Sequence, residues 1–367
     1  MGTVILGEDL SIEKFIEIAV FHSKVEFSQE YRERVRKSRE IIEACVEKEA
    51  AVYGTTTGFG ALVSQFISKE EAELLQKNII LTHSVSVGNP LKEEEVRAVI
   101  LMVLQSLGKG VSGVRLEVLE RYREFLNKNL IPYVPGEGSV GYLCAEAHIG
   151  AVLIGEGRAW YQGELMAAEE ALKAAGMEPL TLSYKEGLAL INGTTSPTAL
   201  AALAVYRLAQ AAETADVVAA MSLEGLKGQM RAYDSHVTKC RPQKELEETA
   251  ENLKALLAGS EVVKKWAGSH LQDPLSLRCI PQLHGAAKRI LKDAWEVVSC
   301  EINACGDNPV VYGSPENPEV YSNGNPDASY VGMEMDAACI AAVNLAKMSE
   351  RRNARFLDQN LSGLPSF

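Results

Sequence analysis

NGTTSPTALAALAVYRLAQAAETADVVAAMSLEGL, residues 192–226, decides how this chain is built. Its polar head, Asn192 to Ser196, breaks any preceding helix. Ser196 is a good N-cap, and Pro197 suits the first helical position, where its missing N–H would have no partner anyway. From there to about Leu226 the residues are apolar on most faces, as in a helix with neighbours all round. That helix predicts the centre of a bundle, and hence a mainly α chain.

Composition agrees. Of 367 residues, 47% are hydrophobic and only 6% aromatic, a balance that favours long helices over a sandwich or barrel. Downstream, Gln243 to Ala258, Pro281 to about Cys305, and Asp327 to Phe356 read as further helices. Upstream, Ser11 caps a first helix and Ser28 to Glu49 forms a second. Lys69–Leu81, Lys92–Leu107, Val111–Asn129 and Tyr142–Gly155 follow. Strands are expected to be short: a hairpin over Gly155–Gly163 leading into a helix over Leu165–Ala175, and another within Val310–Asn325. With no repeat and no linker, the reading is an N-terminal helical part, 1–195, carrying active-site loops, and a central long-helix bundle, 196–367.

Charge and cysteine usage narrow the function. A formal charge of −12 without a Lys/Arg stripe argues against nucleic acid, whose binding rests on phosphate neutralisation. The runs Arg32–Lys37 and Arg351–Arg355 read as solvated or interface faces. Seven cysteines without a CxxC pair suggest small buried hydrophobes in a reducing compartment. No basic-then-apolar leader opens the chain, and no charge-free stretch approaches the roughly 20 apolar residues that span a bilayer. The expectation is a cytoplasmic protein with neither membrane nor nucleic-acid partner.

Polar residues beside apolar helices mark the candidate site: the loop Tyr53-Gly-Thr-Thr-Thr-Gly-Phe-Gly60, His83, Gly138–Tyr142, Asn192, Gln272–Arg278 and Asn303–Asn308. Such loops at the ends of parallel helices are expected to meet at one cleft. No histidine pair falls at metal-ligand spacing, and HExxH, GxxxxGK[ST] and GxSxG are absent. Each residue also has a plain structural reading: Tyr53 as a loop anchor, His148 as a satisfied core histidine, Asn192 as a turn residue. Arg278 in the apolar context SLRCIP needs an anionic partner, either an internal carboxylate or a substrate's.

The stretches YGTTTGFG, THSVSVG, GSVG, EGLALINGT, QDPLSLRCIPQ, GDNPVV and SERR, in this order and spacing, resemble histidine ammonia-lyase and its phenylalanine and tyrosine relatives from about Ala50 to Phe367. The resemblance implies a bundle of long parallel and antiparallel helices of the ammonia-lyase, fumarase/aspartase-like type, with short strands in the N-terminal part. It implies a homotetramer whose active sites draw on more than one subunit, and removal of an α-amino group and a β-proton from an aromatic amino acid. By position, Tyr53 and Gly60 match the catalytic loop and its base, and His83 the histidine on the substrate's ring side. Asn192 matches the asparagine at the amino-acid end, and Arg278 the arginine that holds the carboxylate. Gln272 is a neighbouring contact, and Tyr142, Leu275, Asn303 and Asn325 complete the predicted substrate-binding set.

Two departures shape the expected activity. Gly138-Ser-Val-Gly141 runs straight into Tyr142-Leu-Cys144, and its flanks align only if three residues are removed, those that cyclise into the family's methylidene-imidazolone. The reading is therefore a lyase with no cofactor, similar in logic to ergothionase, releasing trimethylamine from an aromatic or imidazole amino-acid betaine, with Tyr142 against the quaternary ammonium. The alternatives are an ammonia-lyase acting on a non-quaternary amino acid and a non-catalytic partner subunit. The second departure is length: the chain stops soon after SERR, so a second chain is expected to supply C-terminal helices to the tetrameric core.

Overall fold

The computed structural model describes residues 2–49, 52, 57, 69–139 and 143–365. A parallel strand pair opens it, β1 (Thr3–Leu6) and β2 (Lys24–Phe27), joined through α1 (Ile12–Ala19). α2 (Gln29–Glu47), α3 (Lys69–His83), β3 (Val87–Pro90), α4 (Glu93–Leu107) and α5 (Leu116–Lys128) follow. Next come β4 (Ile131–Pro132), β5 (Pro135–Glu137), α6 (Cys144–Leu153), the hairpin β6 (Arg158–Tyr161) and β7 (Glu164–Ala167), α7 (Ala168–Ala174) and α8 (Glu186–Ile191). α9 (Thr195–Gly225), α10 (Ser235–Lys239), α11 (Lys244–Leu256), α12 (Glu261–Trp266), α13 (Leu275–Arg278) and α14 (Ile280–Glu301) lead to the hairpin β8 (Val310–Gly313) and β9 (Pro318–Tyr321). α15 (Ser329–Leu357) and α16 (Gln359–Ser362) close the chain. The fold is mainly α with short strands, as predicted. The chain divides into two compact units, Met1–Leu203 with Val298–Ser329, and Ala204–Val297 with Tyr330–Phe367.

In the first unit α4 is buried from Val96 to Leu107 and packs on α1 and α5. Its one internal cation, Arg97, is satisfied by geometry rather than by a carboxylate. The guanidinium donates to the carbonyls of Ile18, Ala19 and Leu126 and to Asn129 Oδ1, so it closes the C-terminal ends of α1 and α5, where free carbonyls and the helix dipole favour positive charge. α3, α6 and α8 form a second layer. Close approach there depends on Gly187, because a Cβ at that position would lie 2.4 Å from the carbonyl oxygen of Gln76. The Gln76 side chain in turn accepts from the Gly187 amide at 2.9 Å.

The second unit is organised around Leu223, Tyr233, Leu253, Leu277, Ile280 and Met348. A buried polar node sits beside this core. Asp216 accepts from His284 Nδ1 at 2.7 Å, from Asn252 at 2.8 Å and from Lys288. Burial opposes ionisation of that carboxyl, but these hydrogen bonds outweigh it and hold the pKa below the usual range. α11 and α14 meet at Gly285, where a Cβ would stand 2.7 Å from the Leu246 amide nitrogen.

Several sequence expectations are corrected. α9 begins at Thr195, so Ser196 and Pro197 lie inside its first turn rather than at the cap. The cap comes from another helix: Glu146 Oε1 accepts from Thr195 Oγ1 at 2.5 Å and from the Ser196 amide at 2.6 Å, a partner no local pattern shows. The hairpin turns at Gln162-Gly163 and its second strand occupies residues assigned to a helix. The pair β1–β2 was not anticipated. Residues Glu186–Gly225 do contain a window long and apolar enough to cross a membrane, but 72% of it is buried inside the protein, as in a core helix. Cys45 and Cys144 are buried, whereas Cys240, Cys300 and Cys339 are exposed.

Candidate functional site

Two clusters, one in each unit, contain most of the predicted site residues that the structure describes. In the first unit α8 ends at Asn192 and the chain turns through Gly193, whose φ of +116° excludes most side chains and whose Cα side meets Gly306. Asn192 Nδ2 donates to Asp307 Oδ1 at 3.2 Å and to the Asn308 carbonyl at 3.0 Å. Both partners are acceptors only, so the NH2 must face them and the carboxamide orientation is unambiguous. Asp307 also accepts from the Asn308 amide at 2.8 Å and from Lys185 Nζ at 2.5 Å, and both members of that ion pair are fully buried. Asn308 Oδ1 takes the amide of Asn323, and Asn323 Oδ1 takes the amide of Asn325, whose own Nδ2 reaches the Cys305 carbonyl at 3.4 Å. A continuous polar chain thus links Asn192 to Asn325.

The same unit holds His83 at the last position of α3. Its Nδ1 lies 2.7 Å from the Ile79 carbonyl. Since a carbonyl only accepts, Nδ1 carries a proton and leaves Nε2 as the ring nitrogen not used in this bond. β3 pairs with β5 just beyond His83, and Ser86 Oγ donates to the Gly138 carbonyl at 3.4 Å, which seats the Gly138 turn beside the His83 loop. Near α9, burial pushes the Glu301 carboxyl up against an opposing hydrogen bond from Thr194. Burial likewise raises Glu146, which is 0% exposed and whose Oε2 has no partner among the described residues. His148 Nε2 is also buried without a partner among the described residues.

In the second unit Gln229 and Asp273 shape the loop that delivers Arg278. Gln229 Oε1 accepts from the Gly268 amide and its Nε2 donates to the Trp266 carbonyl, while its own amide donates to Asp273 Oδ2 at 2.5 Å. His270 Nε2 lies 2.8 Å from Asp273 Oδ1, so both oxygens of this acid are engaged. Tyr233 donates to the Leu277 carbonyl at 2.5 Å and pins α13. Among the described residues Arg278 is left with one hydrogen bond, from Nη1 to the Asp273 carbonyl at 3.3 Å, and no carboxylate partner. It lines a cavity of about 240 Å³ together with Gln272, His270 and Arg231. Of the two readings of Arg278, an internal carboxylate is not found among the described residues.

The structure therefore joins Asn192 with Asn325, and Gln272 with Arg278. Leu275 is 62% exposed on α13 and is not among the cavity's lining. Asn303 has a structural job: its carboxamide exchanges hydrogen bonds with the backbone of Leu10 and receives Gln105. Tyr53, Gly60 and Tyr142 lie outside the described residues. Sequence reasoning missed Lys185, Asp307 and Glu146. The first had a signal of the same kind as Arg278, a cation leading the apolar run GLALI that needs an internal partner.

The family model described as aromatic amino acid lyase matches residues 10–367. Histidine ammonia-lyase of Caldanaerobacter subterraneus subsp. tengcongensis is 43% identical over 367 residues, 99% of this chain and 72% of the relative. Among solved structures, phenylalanine aminomutase of Pantoea agglomerans has a TM-score of 0.94 at 33% identity, over 100% of this chain and 74% of the other. Histidine ammonia-lyase from Trypanosoma cruzi has 0.90 at 34%, over 100% and 70%. Ergothionase from Treponema denticola has 0.92 at 26%, over 99% and 73%.

These similarities overturn the expectation of a cofactor-less variant that splits a betaine. Sequence identity to a histidine ammonia-lyase is 43%, against 26% to ergothionase, each over nearly the whole chain.

Proposed function

The chain belongs to the aromatic amino acid lyase family and is a carbon–nitrogen lyase, and we propose that it eliminates ammonia from an ordinary aromatic α-amino acid, histidine first among them. The products are ammonia and the conjugated arylacrylate: a β-proton leaves, the C–H electron pair becomes the new double bond, and the α-C–N bond breaks. One observation supports the reading in the structure, the Arg278 guanidinium with no carboxylate partner among the described residues, in a cavity with Gln272. A substrate carboxylate completes it with a two-point contact that holds the α-carbon in register.

The remaining roles follow from the donors and acceptors. Among the described residues Asn192 Oδ1 accepts no hydrogen bond, and it suits the α-ammonium; His83, with Nδ1–H on the Ile79 carbonyl, can offer Nε2 to a ring N–H. Tyr53 is proposed as the base for the β-proton, a task that requires a phenol titrating below its ordinary value near 10. In this family a ring formed from Ala-Ser-Gly helps the amine depart. Here Leu143 is the N-cap of α6 and Cys144 its first residue, and neither belongs to a Ser-Gly pair.

For assembly we propose a homotetrameric core. Its support is the outer face of α15, where Met333, Ile340 and Val343 are 72%, 61% and 59% exposed, more clustered apolar surface than a solvated helix carries. The test of function is direct: incubate the native protein with histidine, phenylalanine and tyrosine, and follow arylacrylate absorbance with released ammonia. Urocanate and ammonia in equal amounts from histidine are expected. Accumulation of a β-amino acid instead would move the assignment to an aminomutase, and no turnover of any of the three would overturn it.

A further inference from the structure

We propose that Lys185 and Asp307 are positioning residues that clamp the Asn192 carboxamide and aim its Oδ1 at the substrate, an inference that rests on the role given to Asn192 above. Both hydrogens of the Asn192 NH2 are spent, on Asp307 Oδ1 and the Asn308 carbonyl. Asp307 can hold that geometry only while both its oxygens act as acceptors, and three donors enforce this: Lys185 Nζ on Oδ2, and the Asn308 amide and Asn192 on Oδ1. The pair is wholly buried, with each side chain 0% exposed, so water cannot replace a lost partner and a single deletion leaves an uncompensated charge.

A second observation points the same way. Lys185 has φ +71° and ψ −25° at the start of α8, a region that costs a non-glycine residue free energy and persists where the surroundings impose it. A lysine held so, fully buried, with its ammonium on one carboxylate, carries a backbone cost that solubility does not explain. The Gly193–Gly306 contact keeps the two turns in register: a Cβ on Gly306 would come within 3.0 Å of the Thr194 amide nitrogen. Asn192 thus presents one fixed acceptor, as electrostatic preorganisation requires.

The test is a double-mutant cycle on the complete protein, with kcat and KM for histidine measured for Lys185→Met, Asn192→Ala and the double variant. A misaimed polar group costs on the order of 100-fold in rate, so Lys185→Met should lower kcat by about that factor with KM within about threefold. In the Asn192→Ala background the same change should cost little more, because its target is gone. Effects that multiply in the double variant would overturn the clamp. Asp307→Asn keeps the shape, serves if Lys185→Met does not fold, and carries the same expectation. A crystal structure of either variant reads the clamp without activity: Asn192 should leave its Asp307-facing orientation, and an unmoved carboxamide would also overturn the proposal. If the wild type does not turn histidine over, the proposed function fails while the crystallographic arm still decides the clamp.

Discussion

Arg278 and Glu146 are both ionisable groups without a full set of partners, and they lead to opposite predictions. Removing the guanidinium deletes charge-assisted hydrogen bonds of about 1.5–3 kcal/mol, so Arg278→Gln should lower kcat/KM by roughly 10- to 150-fold, chiefly through KM. Arg278→Lys should recover only part, since an ammonium does not reproduce the two-pronged fork. Steady-state kinetics on the three proteins checks both. Glu146 is a stability case. Burial raises its folded pKa above the ordinary 4.5, so between the two values the native state binds more protons, and stability falls as pH rises through that window. Glu146→Gln keeps the oxygen that caps Thr195 and Ser196 but cannot ionise. Its unfolding free energy relative to wild type should therefore increase as pH rises from 4.5, and urea titrations at several pH values would show it. A difference independent of pH would mean Glu146 is not ionising there.

Helices are held by contacts too close for a side chain. At the α11–α14 crossing a methyl on Gly285 would meet the Leu246 backbone at 2.7 and 2.8 Å, with no flexible side chain to yield. Gly285→Ala should therefore destabilise by about 1–3 kcal/mol despite its better helix propensity, seen as a lower denaturation midpoint with an unchanged slope. Element positions were largely legible beforehand: Ser11 and Ser28 cap α1 and α2 as read, and α11, α14 and α15 fall within a few residues of their predicted spans. The start of α9 was not, because its cap is a carboxylate 50 residues upstream. Nor were β1 and β2, four residues each, which pair only because α1 brings them side by side.

For the whole molecule, family membership sets the reaction class, and the exposed apolar face of α15 bears on assembly. Ile340→Lys places a charge in the middle of that face, 61% exposed, so it should leave the subunit folded while shifting light-scattering mass to smaller species. Retention of the wild-type mass would remove α15 from the interface. The −12 net charge carries none of this, since it concerns solubility and not specific contacts.

The amino-acid sequence by itself determined the helical class, most helix spans and the kinship with amino acid lyases, because periodicity, capping residues and long motifs are local and survive without coordinates. It also singled out Arg278, since a cation in an apolar run demands a partner wherever it folds. Only the tertiary structure decided which partners exist: that Arg278 has no carboxylate among the described residues, that Asn303 is spent on Leu10, and that Lys185 meets Asp307 across 122 positions of chain. Those are pairings between distant segments, set by packing. A sequence pattern states what each group needs, and the fold alone supplies it.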